Sequence, residues 1–281
     1  MALDYDKLMA MPPLVTEHVI SERDTIIYAL GVGSTELRHV YEGMLEALPT
    51  MAVVMAYPGF FAKDPRYGLT WQKLLHGEQS IELHGRLPVS GRFIGETTFE
   101  EIFDKGAHKG AVMLTKRVVR EAGSGAAVAT SRSTMFLRGD GGFGQRAAGA
   151  PPLPHPVPEN RAPDAMVSLA TRHDQAALYR LSGDYNPLHI DPAAAIAAGF
   201  ARPILHGLCT YGIVGRALLA AVCENDASRF RRMDVRFSSV VYPGETIRVE
   251  IWREGGGRAG FRALAEERGA VVINNGYLEF A

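Results

Sequence analysis

The pattern of apolar and polar positions is clearest in the last third of the chain. Residues 207–223, GLCTYGIVGRALLAAVC, are apolar nearly all round, with Arg216 the one charge, which predicts a helix buried on every side. A period of two follows it. Met233, Val235 and Phe237 alternate with Asp234, Arg236 and Ser238, and Ile247, Val249 and Ile251 alternate with Arg248 and Glu250, as half-buried strands do. Gly255-Gly256-Gly257 predicts a hairpin into a third run near 258–267, and a fourth run ends the chain near 270–280. One buried helix and an antiparallel meander predict a sheet wrapped around a helix. The first half predicts strands near 79–86, 92–104, 110–121 and 126–137.

Residues 139–159, GDGGFGQRAAGAPPLPHPVPE, crowd glycines and then prolines together, and predict a connector between an N-terminal unit (1–138) and a C-terminal unit (160–281). The two units look like distant copies. DTIIYALGVG at 24–33 matches DQAALYRLSG at 174–183, each read as a helix with an Asp N-cap and a Gly stop. LLHG at 74–77 matches ILHG at 204–207, and Leu87-Pro88 with Gly91 matches Tyr242-Pro243-Gly244. On this alignment Gly77 to Pro88 spans 11 positions and Gly207 to Pro243 spans 36, which predicts that the first copy has lost or shortened its long helix, a missing helix leaving a cavity there.

Composition narrows the function classes. The 281 residues are 47% hydrophobic and 22% charged, an ordinary globular balance that excludes a disordered or collagen-like chain. A net charge of −1 gives no global field for nucleic acid or an anionic membrane. The start, MALDYDKLMAMPP, is acidic and reads as neither a secretory nor a transit signal. The stretch at 207–223 is short and charged for a membrane span. Cys209 and Cys223 fall 14 residues apart on the expected helix, too far to pair, so a reducing, cytoplasmic setting is expected.

The chemistry concentrates in SGDYNPLHIDPAAAIAAGFARPILHG at 182–207. Asp191 before Pro192, with Gly199 beyond, reads as the cap of a short helix. Asp184 and His189 lie across a Pro-stiffened turn and can converge on one water as a general acid/base pair, with Asn186 orienting them. Gly207 opens the long helix, where a free N–H backed by the helix dipole can stabilise an oxyanion. The first half has GVGSTE at the matching position, so one active site per chain is expected. Asp184, His189, Asp191 and His206 could also be read as metal ligands, but their spacing is weak for that. No GxSxG nucleophile elbow is present.

GDYNPLHID, then GF, RPILHG and the apolar helix, closely resembles the signature of the MaoC-like, type 2 enoyl-CoA hydratases, and LLHGEQ resembles that family's motif in the first half. The resemblance covers the whole chain. It implies an α+β double hot dog fold whose first copy lacks the central helix to admit bulky acyl chains. It implies reversible hydration of trans-2-enoyl-CoA to (3R)-3-hydroxyacyl-CoA, with Asp184 and His189 activating water, Asn186 supporting them and the Gly207 amide polarising the thioester carbonyl. His76, Gly77, Glu78, Arg202 and His206 are expected near the substrate, although Glu78 could equally be a buried structural partner and His206 a packed histidine. No metal or redox cofactor is implied, coenzyme A being part of the substrate, and a homodimer is expected. Lys63, Arg66, Arg86, Lys109, Arg117, Arg202 and Arg236 are candidate partners for the CoA phosphates. Phe60, Phe61, Tyr67 and Trp71 either line the acyl tunnel or belong to the core. The same fold leaves other readings open: a 3-hydroxyacyl-ACP dehydratase, a hydratase of branched dicarboxylic acyl-CoA, a thioesterase, or a non-catalytic acyl-CoA binding module.

Overall fold

The computed structural model describes residues 3–144, 147, 151–152 and 155–281. Parts of the connector, at 145–146, 148–150 and 153–154, and the first two residues of the acidic start lie outside them. The elements run α1 (Tyr5–Met9), β1 (Leu14–Ile20), α2 (Glu22–Gly31), α3 (Leu37–Val40), β2 (Leu74–Leu83), β3 (Gly91–Asp104), β4 (Ala111–Glu121), β5 (Ala127–Leu137), β6 (Ala165–Ala170), α4 (Gln175–Tyr179), α5 (Pro192–Ala197), α6 (Gly207–Ala221), β7 (Phe230–Phe237), β8 (Thr246–Gly255), β9 (Arg258–Ala265) and β10 (Ala270–Phe280). This is an α+β protein built on one ten-stranded antiparallel sheet.

The strand order is β1-β3-β4-β5-β2-β7-β10-β9-β8-β6. Numbered from its own first strand, each half reads 1-3-4-5-2 from the outer edge to the seam, so the sheet itself carries the duplication. The halves join where β2 meets β7, from Glu78 opposite Arg236 to Glu82 opposite Arg232. Both outermost strands, β1 and β6, escape the sequence reading, because they are short and edge strands need little apolar alternation.

The helix α6 is as expected in place and close to it in length, but it is not buried on every side: Gly207 and Ala220 are exposed. Its Tyr211 is fully buried and donates its hydroxyl to the Met233 carbonyl at 2.9 Å. Cys223, expected on the helix, lies just past its closing residue Val222, and both cysteines are free and buried. Gly212 and Gly215 are inside the helix, where glycine costs about 1 kcal/mol relative to alanine. The reason is the first half: a Cβ on Gly212 would overlap Val32, and one on Gly215 would overlap Thr50. Side chains from the second half also close α2. Gln175 donates to the Gly31 carbonyl at 2.5 Å, Cys209 to the same oxygen at 3.3 Å, and Arg216 to Val32 at 2.8 Å. Each satisfies a carbonyl left open at a helix end, for about 1 kcal/mol.

Three expectations are corrected. His76-Gly77 lies on strand β2, whereas His206-Gly207 opens α6, so LLHG and ILHG are not equivalent positions. The first half therefore has ample chain where the long helix would be: residues 32–73 against 183–229. It spends that length on short turns, among them a 3-10 turn at Pro49–Val53. Leu48, Met51, Ala52, Val53, Met55 and Ala56 are buried there and pack in the core with α6, so this segment fills the space read as a cavity. Asp24 is not the N-cap of α2; Ser21 caps it, and Asp24 completes the capping box by accepting the Ser21 N–H at 2.9 Å. Asp174 stands at the cap position of α4 but spends its carboxylate on Arg172, at 2.7 Å.

Candidate active site

The turn that begins the second half's long connection is built from its own side chains. Gly183 takes φ +111°, a left-handed value that glycine supplies without strain. Asp184 then accepts the Asn186 N–H at 3.1 Å, and Asn186 accepts the Leu188 N–H at 3.2 Å, ahead of the 3-10 turn Pro187–His189. Asn186 thus reaches both neighbours through its main chain, donating to Asp184 and accepting the His189 N–H at 3.3 Å, while its side chain holds the turn. Asp191 accepts the Ala193 N–H at 2.8 Å and caps α5, as its sequence context predicts.

His189 is buried, and its Nδ1 lies 2.9 Å from the Ile204 carbonyl oxygen. A carbonyl only accepts, so Nδ1 carries the hydrogen and Nε2 a bare lone pair. That Nε2 faces Asp184 Oδ2 at 4.0 Å. Two acceptors confront each other across a gap too long for a hydrogen bond and the right width for one water donating a hydrogen to each.

His206 supports both residues. Its ring stacks on His189 at 3.8 Å between centroids, and its Nε2 donates to the Asp184 main-chain oxygen at 3.1 Å. The helix start follows at once: Gly207 is the first residue of α6, where an N–H has no partner inside the helix. Gly207 sits against the Phe237 ring, and the same ring makes an edge contact with His76 of β2, 5.1 Å away between centroids. The first half therefore reaches the site.

The electrostatics favour neutral imidazoles. Burial lowers the His189 pKa, and Arg180 adds to the effect against the opposing pull of the Ile204 bond and Asp184. Burial and then His189 bring His206 down to about 4, and burial brings His76 to about 4. Two groups escape the sequence reading. Arg180 stacks on Tyr185 at 5.1 Å and donates to its carbonyl at 3.3 Å, bracing the turn; an arginine four residues before Asp184 was its only signal. Tyr57 lies in the segment that replaces the long helix; burial, and then the charge of Asp184, push its hydroxyl up to about 12. Arg117, buried beneath it at 5.4 Å from its ring, donates to the Val53 carbonyl at 2.6 Å.

Other candidates go elsewhere. A bulge between His76 and Glu78 turns His76 inward, while Gly77 lies under the Phe136 ring, where no side chain fits. Glu78 lines a cleft of about 640 Å³ on the opposite face of the sheet, with Arg132, Asp234 and Arg236. Neither Asp184 nor His189 lines that cleft, so Glu78 is not brought together with them. Arg202 stacks on Tyr242 at 5.0 Å and reaches the Pro243 carbonyl. Arg66 is tied to Asp64, Arg86 to Asp226 and Arg117 to backbone carbonyls, leaving Lys63, Lys109, Arg202 and Arg236 without a carboxylate partner among the described residues. The aromatic cluster is largely core: Phe61, Tyr67 and Trp71 pack with Phe99 against a buried cluster, and Trp71 also pairs with the more exposed Phe60 at 6.2 Å under Lys63.

Residues 18–139 match the MFE-2 hydratase 2 N-terminal domain and residues 156–275 the MaoC like domain. A probable enoyl-CoA hydratase 2 from Dictyostelium discoideum is 39% identical over 98% of this chain and 96% of its own. The chain belongs to the MaoC-like, type 2 enoyl-CoA hydratase family. Within that family, a MaoC-like dehydratase from Phytophthora capsici superposes with a TM-score of 0.89 at 37% identity, over 98% of both chains, and the fold is the double hot dog. The mouse peroxisomal multifunctional enzyme type 2 is 42% identical over 92% of this chain, which spans only 36% of that protein. Among the described residues no helix is long and apolar enough to cross a membrane.

Proposed function

We propose that this protein is a hydro-lyase that reversibly adds water to trans-2-enoyl-CoA to give (3R)-3-hydroxyacyl-CoA. The observation that carries this reading is the pair of facing acceptors, His189 Nε2 and Asp184 Oδ2, 4.0 Å apart beside the free N–H of Gly207. A water held by both of its hydrogens presents its lone pairs outward, toward the β-carbon of a bound enoyl thioester. As its oxygen bonds C3, the Asp184/His189 pair takes a proton. The Gly207 N–H and the positive end of α6 stabilise the enolate oxygen. The proton returned to C2 comes from the same water, so hydroxyl and hydrogen add to one face. Water addition moves no electrons between substrate and protein, so it calls for no redox cofactor. The unit 160–281 supplies this machinery. The unit 1–138, through Tyr57 and His76, borders the acyl group, and 139–159 links them. A reducing, cytoplasmic compartment and a homodimer belong to the proposal; sedimentation of the purified chain checks the dimer.

The test is the fall in conjugated enoyl-thioester absorbance when protein is added, with chiral chromatography showing the (3R) product. No change across several chain lengths, a branched and a steroid-type acyl-CoA would sink the reading, and free thiol in place of a hydroxyacyl product would indicate a thioesterase. A second prediction isolates the oxyanion donor. Proline is tolerated at the first position of a helix, and His206, with φ −57° and ψ 135°, already has the conformation that precedes proline. Gly207→Pro removes one N–H and leaves α6 intact. We expect kcat to fall by about 10²- to 10³-fold with an unchanged helical circular dichroism signal; full activity would take the role from Gly207.

A further inference from the structure

The arrangement to which the hydration reading assigns a water also offers a place for a different ligand. One ligand atom each from Asp184, His189 and His206 lies within 4.8 Å of the others. Two imidazoles and a carboxylate, with a fourth position open to water, form a donor set suited to Zn²⁺. Two further observations point the same way. His206 is 1% exposed; with its Nε2 spent on the Asp184 carbonyl, its Nδ1 is left with no hydrogen-bond partner among the described residues, so a lone pair of this ring is free to ligate if the metal sits on its side of the ring. The bare Nε2 of His189 and Asp184 Oδ2 face each other at 4.0 Å. Acceptors in mutual opposition are satisfied by a doubly donating water or by a cation.

The rigidity is suitably divided. Both imidazoles are buried and stacked, held by the Ile204 and Asp184 carbonyls, so they cannot turn away. The Asp184 side chain is 45% exposed and can swing. Zinc bonds to nitrogen and oxygen of roughly 2.0–2.2 Å place tetrahedral ligand atoms a little over 3 Å apart, so drawing together three atoms that lie within 4.8 Å of one another takes movements of up to about 1.5 Å. Mg²⁺ and Ca²⁺ prefer oxygen cages and gain little from two imidazoles.

We propose that Asp184, His189 and His206 form an inhibitory Zn²⁺ site, in which the metal displaces the water that the hydration uses. The inhibition rests on the hydratase reading; the binding does not.

The experiment keeps the two apart. Chelator-treated full-length protein is titrated with Co²⁺, watching for the visible bands of tetrahedral cobalt, and with Zn²⁺ by calorimetry, beside Asp184→Asn and His206→Gln. We expect cobalt bands and one Zn²⁺ per chain in the wild type, with both signals lost in each variant. Zn²⁺ should abolish hydration of an enoyl-CoA, and chelator should restore it. Asp184→Asn alters an exposed side chain, so it keeps the test open if His206→Gln does not fold. Absence of cobalt bands in the wild type, or equal Zn²⁺ binding in all three proteins, overturns the proposal. Metal binding without any metal-free turnover would leave the site standing and remove the hydratase reading instead.

Discussion

Asp184→Asn is expected to lower kcat for enoyl-CoA hydration by about 10²- to 10⁴-fold while leaving the fold intact. Asparagine keeps a side-chain oxygen that can still accept the Asn186 N–H, so the turn persists. It replaces an acceptor facing His189 by an N–H₂ group, and the bridging water loses one of its two acceptors and its proton-accepting partner. His189→Gln should cost a similar factor. The double variant should be little worse than either single one, because both residues hold the same water. Circular dichroism and enoyl-CoA binding should stay near wild type in Asp184→Asn, which places the loss in the chemical step. A rate within a few-fold of wild type in either single variant would remove that residue from the mechanism. The pH profile gives an independent check. His189 works as a base only when neutral, and burial holds its pKa below the ordinary 6.5. The sign follows: kcat/KM should stay level as pH falls through 6.5 and decline only at more acid pH, when the imidazole takes a proton. A decline centred at or above 6.5 would contradict the buried, neutral base.

Gly212→Leu should be the most damaging substitution for stability among the glycines of α6. A Cβ alone at this position would overlap Val32 and lie 2.9 Å from the Tyr28 hydroxyl. Leucine adds three further carbons between α6 and α2, at the contact that holds the second half's helix on the first half. Overpacking of this kind costs about 1–3 kcal/mol. A longer side chain here also pushes against the carbonyl contacts made by Gln175, Cys209 and Arg216. Thermal unfolding should shift down by several degrees, and activity should fall with it because Gly207 begins the same helix. Ala220→Leu, on the exposed side of α6, is the control and should leave the midpoint nearly unchanged. Equal midpoints for the two variants would mean that the close approach of the halves is not needed for stability.

How far the chain's own pattern reaches can be seen in α6. Its one charge is Arg216, so the burial of most of its residues follows from composition, and the alternation in β7 and β8 fixes their inward faces just as directly. Asp184, Asn186, Pro187 and His189 could be placed on one turn because Asx and proline chemistry is local: each bond spans two or three residues. Asp191 was legible for the same reason.

Contacts between distant segments were not legible. The matching of LLHG to ILHG paired a strand with a helix start, since four residues carry no record of the bulge at Gly77 that turns His76 inward and Glu78 away. The first half's missing helix was foreseen from a spacing argument built on that mismatch. Nothing local could show that residues 47–56 would fold back into the gap, because their burial depends on α6, more than 150 positions later. Sequence determined the elements and the turn that carries Asp184 and His189. Tertiary structure decided that His206 stacks on His189, that His76 and Tyr57 cross from the other half, and that two bare acceptors meet at 4.0 Å. The division is physical: capping, alternation and turn geometry are set by neighbours in the chain, whereas burial, tautomer and facing distance are set by whatever the fold packs alongside.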